Sequence, residues 1–240
     1  MERYFLGTYW GVRKLSLQDS SLLLLDILKL VESFEGKELF YNLIEDDHRL
    51  DLRDEDYFID YVTRKIRHEE NKFNKDYNQE VDLLTENENY FSDGGFTMSV
   101  NIRNGELIKH VKASVGKYSK YLTNVVTMDL KQSSLIKDHA RYTFFLKELC
   151  EILQPNNAGI YNDTFSYDIA NQEAGDLYVS GIMYFSNEIK IPNKDYINEI
   201  IPLDNIGNLV ILEKELFTIK DPKHVEKGLQ FIKDLSIVNK

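Results

Sequence analysis

The chain has 240 residues, with 29 Lys or Arg against 40 Asp or Glu, so its formal net charge at pH 7 is −11. Apolar residues make up 42% of it, enough for a core in a chain that can bury about 70–75% of its unfolded surface. This composition excludes global disorder, and the negative charge argues against a general nucleic-acid binder, which needs clustered Lys and Arg, and against an anionic membrane surface.

The amino-terminal half predicts two strands and two helices. In chain order these are a strand over 3–12, a helix over about 20–34, a strand over 38–44 and a second helix to about residue 73. Asp19 or Ser20 is the predicted cap of the first helix, and Gly36 ends it. Residues 69–90 are rich in Asn and Glu and are expected to be the least ordered part of the chain.

The carboxyl-terminal half begins with the clearest local pattern in the sequence. Apolar and polar residues alternate over 96–102, and Asn104-Gly105 predicts a tight hairpin with two positive-φ residues before a return strand over 107–115. Further elements are expected in this order: a strand over 121–130, a helix over 133–153, strands over 176–186 and 208–213, and a last helix. Asp221 caps that helix and Pro222 is its first residue, with a buried stripe of Val225, Leu229, Ile232 and Leu235.

These elements predict an α+β fold, with an antiparallel sheet covered by helices. Only four Pro and twelve Gly are present, and no stretch is typical of a linker. We therefore expect residues 1–240 to form a single domain.

The negative charge is concentrated in one segment. Residues 45–93 hold sixteen acidic and seven basic residues, so nine of the eleven net negative charges lie in about a fifth of the chain. Segments of this kind are often solvated helix faces or mobile loops, and we expect this one to be partly mobile. A surface so charged also suits a basic protein partner, because complementary potentials accelerate association.

Signatures of catalysis, cofactors and secretion are absent from the sequence. The single cysteine, Cys150, excludes an internal disulfide and a cysteine-based zinc site, and the five histidines are scattered singly. There is no glycine-rich nucleotide motif and no serine-hydrolase elbow. The amino terminus has no signal-peptide core, and the apolar run from Leu22 to Leu25 is too short to span a bilayer, so we expect a cytoplasmic protein without cofactor or metal.

One catalytic alternative remains open. Nucleases of the restriction-endonuclease type place an Asp and a Glu-x-Lys on adjoining strands, where the carboxylates hold Mg²⁺ and the lysine positions the attacking water. Asp176, Glu188 and Lys190 have about this spacing. The alternative interpretation is therefore a magnesium-dependent nuclease, although a charge of −11 would repel its substrate.

Several short motifs, in order along the chain, resemble the immunity protein 52 family of bacterial polymorphic toxin systems. The first is Tyr9-Trp10-Gly11-Val12-Arg13 with Ser16. Those near the carboxyl terminus are Ser180-Gly181-Ile182-Met183-Tyr184-Phe185-Ser186 with Pro192, then Gly207-Asn208-Leu209-Val210, Glu215-x-Phe217 and Pro222-x-His224-Val225. Because the motifs span both ends, the resemblance implies that the whole chain is one domain of this kind, although no motif falls in the acidic segment over 45–93.

The resemblance implies a protein without catalytic activity that binds and neutralises a cognate toxin, commonly a nuclease of restriction-endonuclease fold, by occluding its active site or substrate groove. Its oligomeric state is left open. The predicted partner-binding residues are Asp46, Asp47, Asp51, Asp54, Glu55, Asp56 and Asp60, with Tyr57 as an aromatic anchor. Two other interpretations remain: a solvated helix start, where acidic residues are favoured by the helix dipole, and an acidic structural subunit of a larger assembly.

Overall fold

The computed structural model describes most of the chain. The described residues are 2–44, 46–76, 90–92, 94–120, 122–137, 139–173 and 176–239. Of residues 69–90, predicted to have low order, residues 77–89 lie outside these ranges, and so do residues 45 and 93 of the wider acidic segment.

Nine strands and five α-helices are present in the described residues. The strands are β1 (Tyr4–Trp10), β2 (Tyr41–Leu43), β3 (Phe96–Ile102), β4 (Ile108–Val115), β5 (Asn124–Leu130), β6 (Asn157–Asn162), β7 (Ile182–Ser186), β8 (Glu199–Leu203) and β9 (Gly207–Ile211). The helices are α1 (Leu17–Glu35), α2 (Glu55–Asp76), α3 (Gln132–Lys137), α4 (His139–Leu153) and α5 (Pro222–Val238), and a π-helical turn spans Phe165–Ile169.

The strands hydrogen-bond in the order β2-β3-β4-β5-β1-β6-β7-β9-β8 in one antiparallel sheet. The predicted α+β class is therefore confirmed. The residues fall into two compact units: Met1–Trp10, Gly105–Lys109 and Val125–Lys240 make the first unit, and Gly11–Asn104 and His110–Asn124 make the second unit. Among the described residues, no helix has the length and apolar character needed to cross a membrane.

In the first unit, helices pack on both the β1–β6 pair and the β7–β9 pair. β1 and β6 pair over six residues, from Tyr4↔Asn162 to Tyr9↔Asn157, and α4 packs against both strands. α5 closes a second core in which Phe231 contacts residues of β7 and β9 such as Phe185 and Val210. A fully buried aromatic side chain of this kind contributes about 1.5–3 kcal/mol through burial.

The second unit places α1 against β3. Alternate β3 residues are buried, as the period-two pattern predicts, and β3 pairs with β4 from Phe96↔Val115 to Asn101↔His110. α1 begins earlier than predicted: Ser16, not Asp19 or Ser20, is its cap. Ser16 Oγ accepts the Asp19 N–H at 3.0 Å, and the Asp19 carboxylate accepts the Ser16 backbone N–H at 3.4 Å, which makes a reciprocal capping box.

The prediction of a tight turn at Asn104-Gly105 is wrong, although the hairpin it was meant to join is present. Neither residue has a positive φ, and the connection runs from Ile102 to Ile108. The Asn104 side chain instead accepts the Phe40 N–H at 2.8 Å and donates to the Glu38 carbonyl at 3.0 Å. These two hydrogen bonds attach the Asn104 side chain to the segment that precedes β2.

α5 starts where predicted, but its buried residues differ in part from the predicted stripe. Asp221 accepts the Lys223 N–H at 2.9 Å, and Pro222 is the first helical residue. The buried residues are His224, Gly228, Phe231, Asp234 and Leu235, whereas Leu229 is 41% exposed. A Cβ on Gly228 would lie 2.6 Å from Phe165 Cζ, so glycine at this position lets the helix pack close to Phe165. Val225 and Ile232 of the predicted stripe are partly buried against the same core.

Candidate functional site

The predicted partner-binding residues lie in the second unit, in the loop before α2 and in its first two turns. Asp54 caps the helix: its carboxylate accepts the Tyr57 N–H at 3.0 Å, and its carbonyl accepts the Phe58 N–H at 2.9 Å. Negative charge at this end is also favoured by the helix dipole. Asp54 thus shapes the loop and remains exposed beside it.

Asp46 points inward and holds the loop on α2. Its carboxylate lies 2.8 Å from Lys65 Nζ, accepts the Tyr61 hydroxyl and accepts the His48 N–H at 2.9 Å, and its side chain is only 15% exposed. Hydrogen bonds from Lys65, Tyr61 and the His48 N–H hold the pKa of the Asp46 carboxyl well below its ordinary value. The bond to Asp46 raises the pKa of Lys65. Asp46 is therefore a structural anchor of the loop.

Aromatic stacking also holds this loop against α2. The His48 ring stacks on Tyr61, with centroids 4.5 Å apart and planes inclined by 26°, and His48 Nε2 shares a short hydrogen bond with the Tyr57 hydroxyl. Tyr57, the predicted aromatic anchor, is half-buried in this cluster. The sequence carried a signal for it, because Tyr57 and Tyr61 are four residues apart on one helix face.

Three of the outer carboxylates have basic partners. Asp47 pairs with Arg103 at 2.6 Å, Asp60 with Arg64 at 2.8 Å, and Glu55 with Lys29 at 3.3 Å. All six side chains are substantially exposed, so each pair contributes at most about 1 kcal/mol to stability. Their main consequence is electrostatic, because the charge that a partner meets at these positions is partly cancelled.

Asp51, Asp54 and Asp56 are exposed, and none of them forms an ion pair with a residue that the structure describes. We call these three residues the acidic surface. The Asp51 carboxylate accepts the Arg53 N–H at 2.9 Å, so its position is held by the loop. The surface is therefore an array of carboxylates without ion-pair partners, which spans the end of the loop and the first turn of α2.

Sequence reasoning did not single out the basic residues beside this loop. Arg49 lies over the Phe40 ring at 4.1 Å and pairs with Glu38 at 2.6 Å, and Arg53 also reaches Glu38 at 3.3 Å. Glu38 is distant in sequence from both arginines. Only the fold of the chain before β2 brings them together.

The substitution Asp46→Asn is expected to lower the free energy of unfolding by about 1–3 kcal/mol at pH 7, because Lys65 and Tyr61 lose a charged hydrogen-bond acceptor. The lowered pKa of Asp46 gives stability that is present above its unfolded pKa and is lost as the pH falls through the folded pKa. Urea unfolding of wild type and Asp46→Asn from pH 7 to pH 2 should therefore show a gap that closes with acidification. Asp47→Asn is the control, since Asp47 is 99% exposed. A gap that does not change with pH would contradict this role.

The nuclease alternative requires Asp176 and Glu188-x-Lys190 on adjoining strands, and this placement is wrong. Asp176 lies in the loop before β7 and accepts the Glu173 N–H at 2.8 Å, while Glu188 and Lys190 lie after the end of β7. Glu188 accepts a hydrogen bond from Asn156 at 3.2 Å. Across the described ranges, no three His, Cys, Asp or Glu side chains are grouped so that they could hold a metal ion.

Comparisons with known proteins show a likeness of fold. One similar solved structure is the Pseudomonas aeruginosa T6SS protein PA0821, with a TM-score of 0.53 and 8% sequence identity, covering 97% of this chain and 73% of that chain. No protein-family model matches the chain, and no curated protein sequence matches it. At 8% identity the likeness extends to the fold alone.

Several residues that carry the resemblance to immunity protein 52 are packing residues of the first unit. A Cβ on Gly181 would lie 2.9 Å from Phe217 Cβ, so the Glu215-x-Phe217 motif packs directly on the motif that begins at Ser180. Phe217 in turn stacks on His224, with centroids 5.5 Å apart. Trp10 is also buried. Gly181, Phe217, His224 and Trp10 are thus buried packing residues, and the acidic surface lies outside the motifs.

Proposed function

We propose that this protein neutralises a toxin in bacterial competition by binding it, without catalysing a reaction. The observation that carries the proposal is the acidic surface. Asp51, Asp54 and Asp56 present three negative charges without ion-pair partners at the start of α2, where Asp46 and His48 hold the preceding loop on the helix. A fixed array of like charges suits a basic partner, because little ordering free energy is lost on binding.

The sequence motifs and the fold support the same role. The motifs resemble a family of toxin-neutralising proteins, and the fold is similar to that of a T6SS protein. The proposed toxin is a nuclease of restriction-endonuclease fold, whose substrate groove must be basic to bind phosphates. Carboxylates placed in or beside that groove would exclude the nucleic acid and accelerate association with the toxin.

Co-expression tests the proposal. The gene adjacent to this one is induced in a host with either the wild-type chain or a version truncated by an early stop codon. We expect growth to be restored by the wild-type chain alone, and the two proteins to co-purify. Failure of the wild-type chain to restore growth, together with the absence of a complex, would reject the proposed function.

A further inference from the structure

Strand β3 has a stretch of backbone that β2 does not cover. β2 pairs with β3 only as far as Leu43↔Val100, and the last hydrogen bond runs from the Ile44 N–H to the Ser99 carbonyl at 2.9 Å. Peptide groups two residues apart in a strand point to the same side. The N–H and carbonyl of Thr97 therefore point outward past the end of β2, where no described strand lies opposite them.

A cleft of about 930 Å³ lies at this exposed edge, within the second unit. One wall is the edge of β3 at Thr97 and Ser99, and the other is α2 at Lys65, Ile66 and Glu69. We call it the edge cleft. Its other lining residues are Leu43, Ile44, Asp46, Tyr90, Ser92, Gly94, Gly95 and Met98.

The edge cleft has the parts needed to hold an extended peptide. A sheet edge supplies backbone hydrogen bonds, while the space between that edge and a helix supplies pockets for alternate side chains, as in peptide binding by strand addition. Leu43, Ile66 and Met98 give it an apolar lining. An added strand would pair with β3 beyond the end of β2 and would form hydrogen bonds with the backbone N–H and carbonyl of Thr97.

The charge of the edge cleft favours a basic segment. Lys65 is neutralised by Asp46 at 2.8 Å, and Glu69 is exposed, so the charged lining residues Asp46, Lys65 and Glu69 together carry a negative charge. The net charge of −11 acts in the same direction. A Lys or Arg on the added strand would meet Glu69, whereas an acidic side chain would be repelled.

We propose that the edge cleft binds an extended, basic segment of the partner protein as an added strand beside Thr97. This inference rests on the proposed function for the identity of the partner, and it adds a second contact to the acidic surface. Main-chain pairing would supply affinity at the edge cleft, and the acidic surface would supply charge complementarity.

Peptide probes test the edge cleft without the toxin. The full chain, labelled with ¹⁵N, is titrated with a blocked pentapeptide of alternating Val and Arg, and separately with one of alternating Val and Glu. We expect the Thr97 amide resonance to shift, and the basic peptide to bind about fivefold or more tighter, a difference of roughly 1 kcal/mol. Equal binding of both peptides, or a Thr97 amide that is unaffected, would overturn the inference.

Two substitutions at Thr97 test whether its backbone N–H contributes to peptide binding. Thr97→Pro removes the outward N–H at a position where an edge strand tolerates proline, and Thr97→Val removes only the hydroxyl. Thr97→Pro should lose about fivefold in affinity for the basic peptide, the value of one hydrogen bond, while Thr97→Val should not. Unchanged binding by Thr97→Pro would overturn the inference. Protection of the Thr97 amide from hydrogen exchange in the free protein would also overturn it, because the edge would then already be occupied.

The outcomes separate the two proposals. Absence of peptide binding with intact rescue in the co-expression assay would reject the edge cleft and leave the proposed function standing. Peptide binding without rescue would reject the proposed function while supporting the edge cleft as a binding site for basic segments.

Discussion

The triple substitution Asp51→Asn, Asp54→Asn and Asp56→Asn should weaken binding to the proposed toxin by about tenfold or more at low ionic strength, because the acidic surface loses its three charges. Asparagine is a sound choice because it caps helices as well as aspartate does, so Asp54→Asn retains the bond to the Tyr57 N–H. Affinity measured by calorimetry or surface plasmon resonance at low and high salt gives the comparison. The wild-type affinity should fall with salt more steeply than that of the variant.

A matched variant removes the same number of charges elsewhere. Asp195→Asn, Asp204→Asn and Glu226→Gln change three exposed acidic residues of the first unit and leave the acidic surface intact. This control should bind nearly as tightly as wild type. If both triple variants lose affinity equally, net charge and not the acidic surface governs association, and if neither does, the toxin binds elsewhere.

The substitution Gly159→Ala is expected to lower the free energy of unfolding by about 1–3 kcal/mol, because overpacking within a sheet forces the backbone to move. Gly159 lies in β6 opposite Gly7 of β1. A Cβ at position 159 would lie 2.8 Å from the Tyr161 ring and 2.9 Å from the Ile182 carbonyl. The ring could rotate, but the carbonyl belongs to the neighbouring strand β7 and cannot yield without disturbing the pairing.

Gly11 provides the control for this substitution. A Cβ at Gly11 would meet nothing within 4 Å, so Gly11→Ala should change stability by less than about 0.5 kcal/mol. Urea midpoints of wild type and both variants give the measurement. Equal stability of Gly159→Ala and wild type would show that β6 and β7 are not packed as closely as the structure has them.

Elements with strong local signals were predicted well from the sequence. The alternation over 96–102 corresponds to β3, and Asp221-Pro222 marks the start of α5. These signals depend on residues near one another in the chain, so no knowledge of the fold is needed to interpret them. The helix predicted over 133–153 is helical at every described position, as α3 and α4 on either side of residue 138, which lies outside the described ranges. The strand predicted over 176–186 begins only at Ile182.

Strands β6 and β8 were missed because their sequences disfavour strands. β6 reads Asn-Ala-Gly-Ile-Tyr-Asn, and β8 contains Pro202. Asn, Ala, Gly and Pro are all depleted in strands. β6 forms because it is buried between β1 and β7, whereas β8 tolerates a proline because it is the last strand of the sheet. In both cases tertiary pairing overrides local preference.

The sequence by itself determined the amount of charge and its concentration in residues 45–93. Only the tertiary structure decided which carboxylates can meet a partner. Asp46 and Asp47 are neighbours in sequence, yet Asp46 is fastened to Lys65 while Asp47 lies in solvent beside Arg103. The reason is physical: the charge of a residue follows from its type, but its pairing and exposure depend on side chains that are distant in the chain and close in the fold.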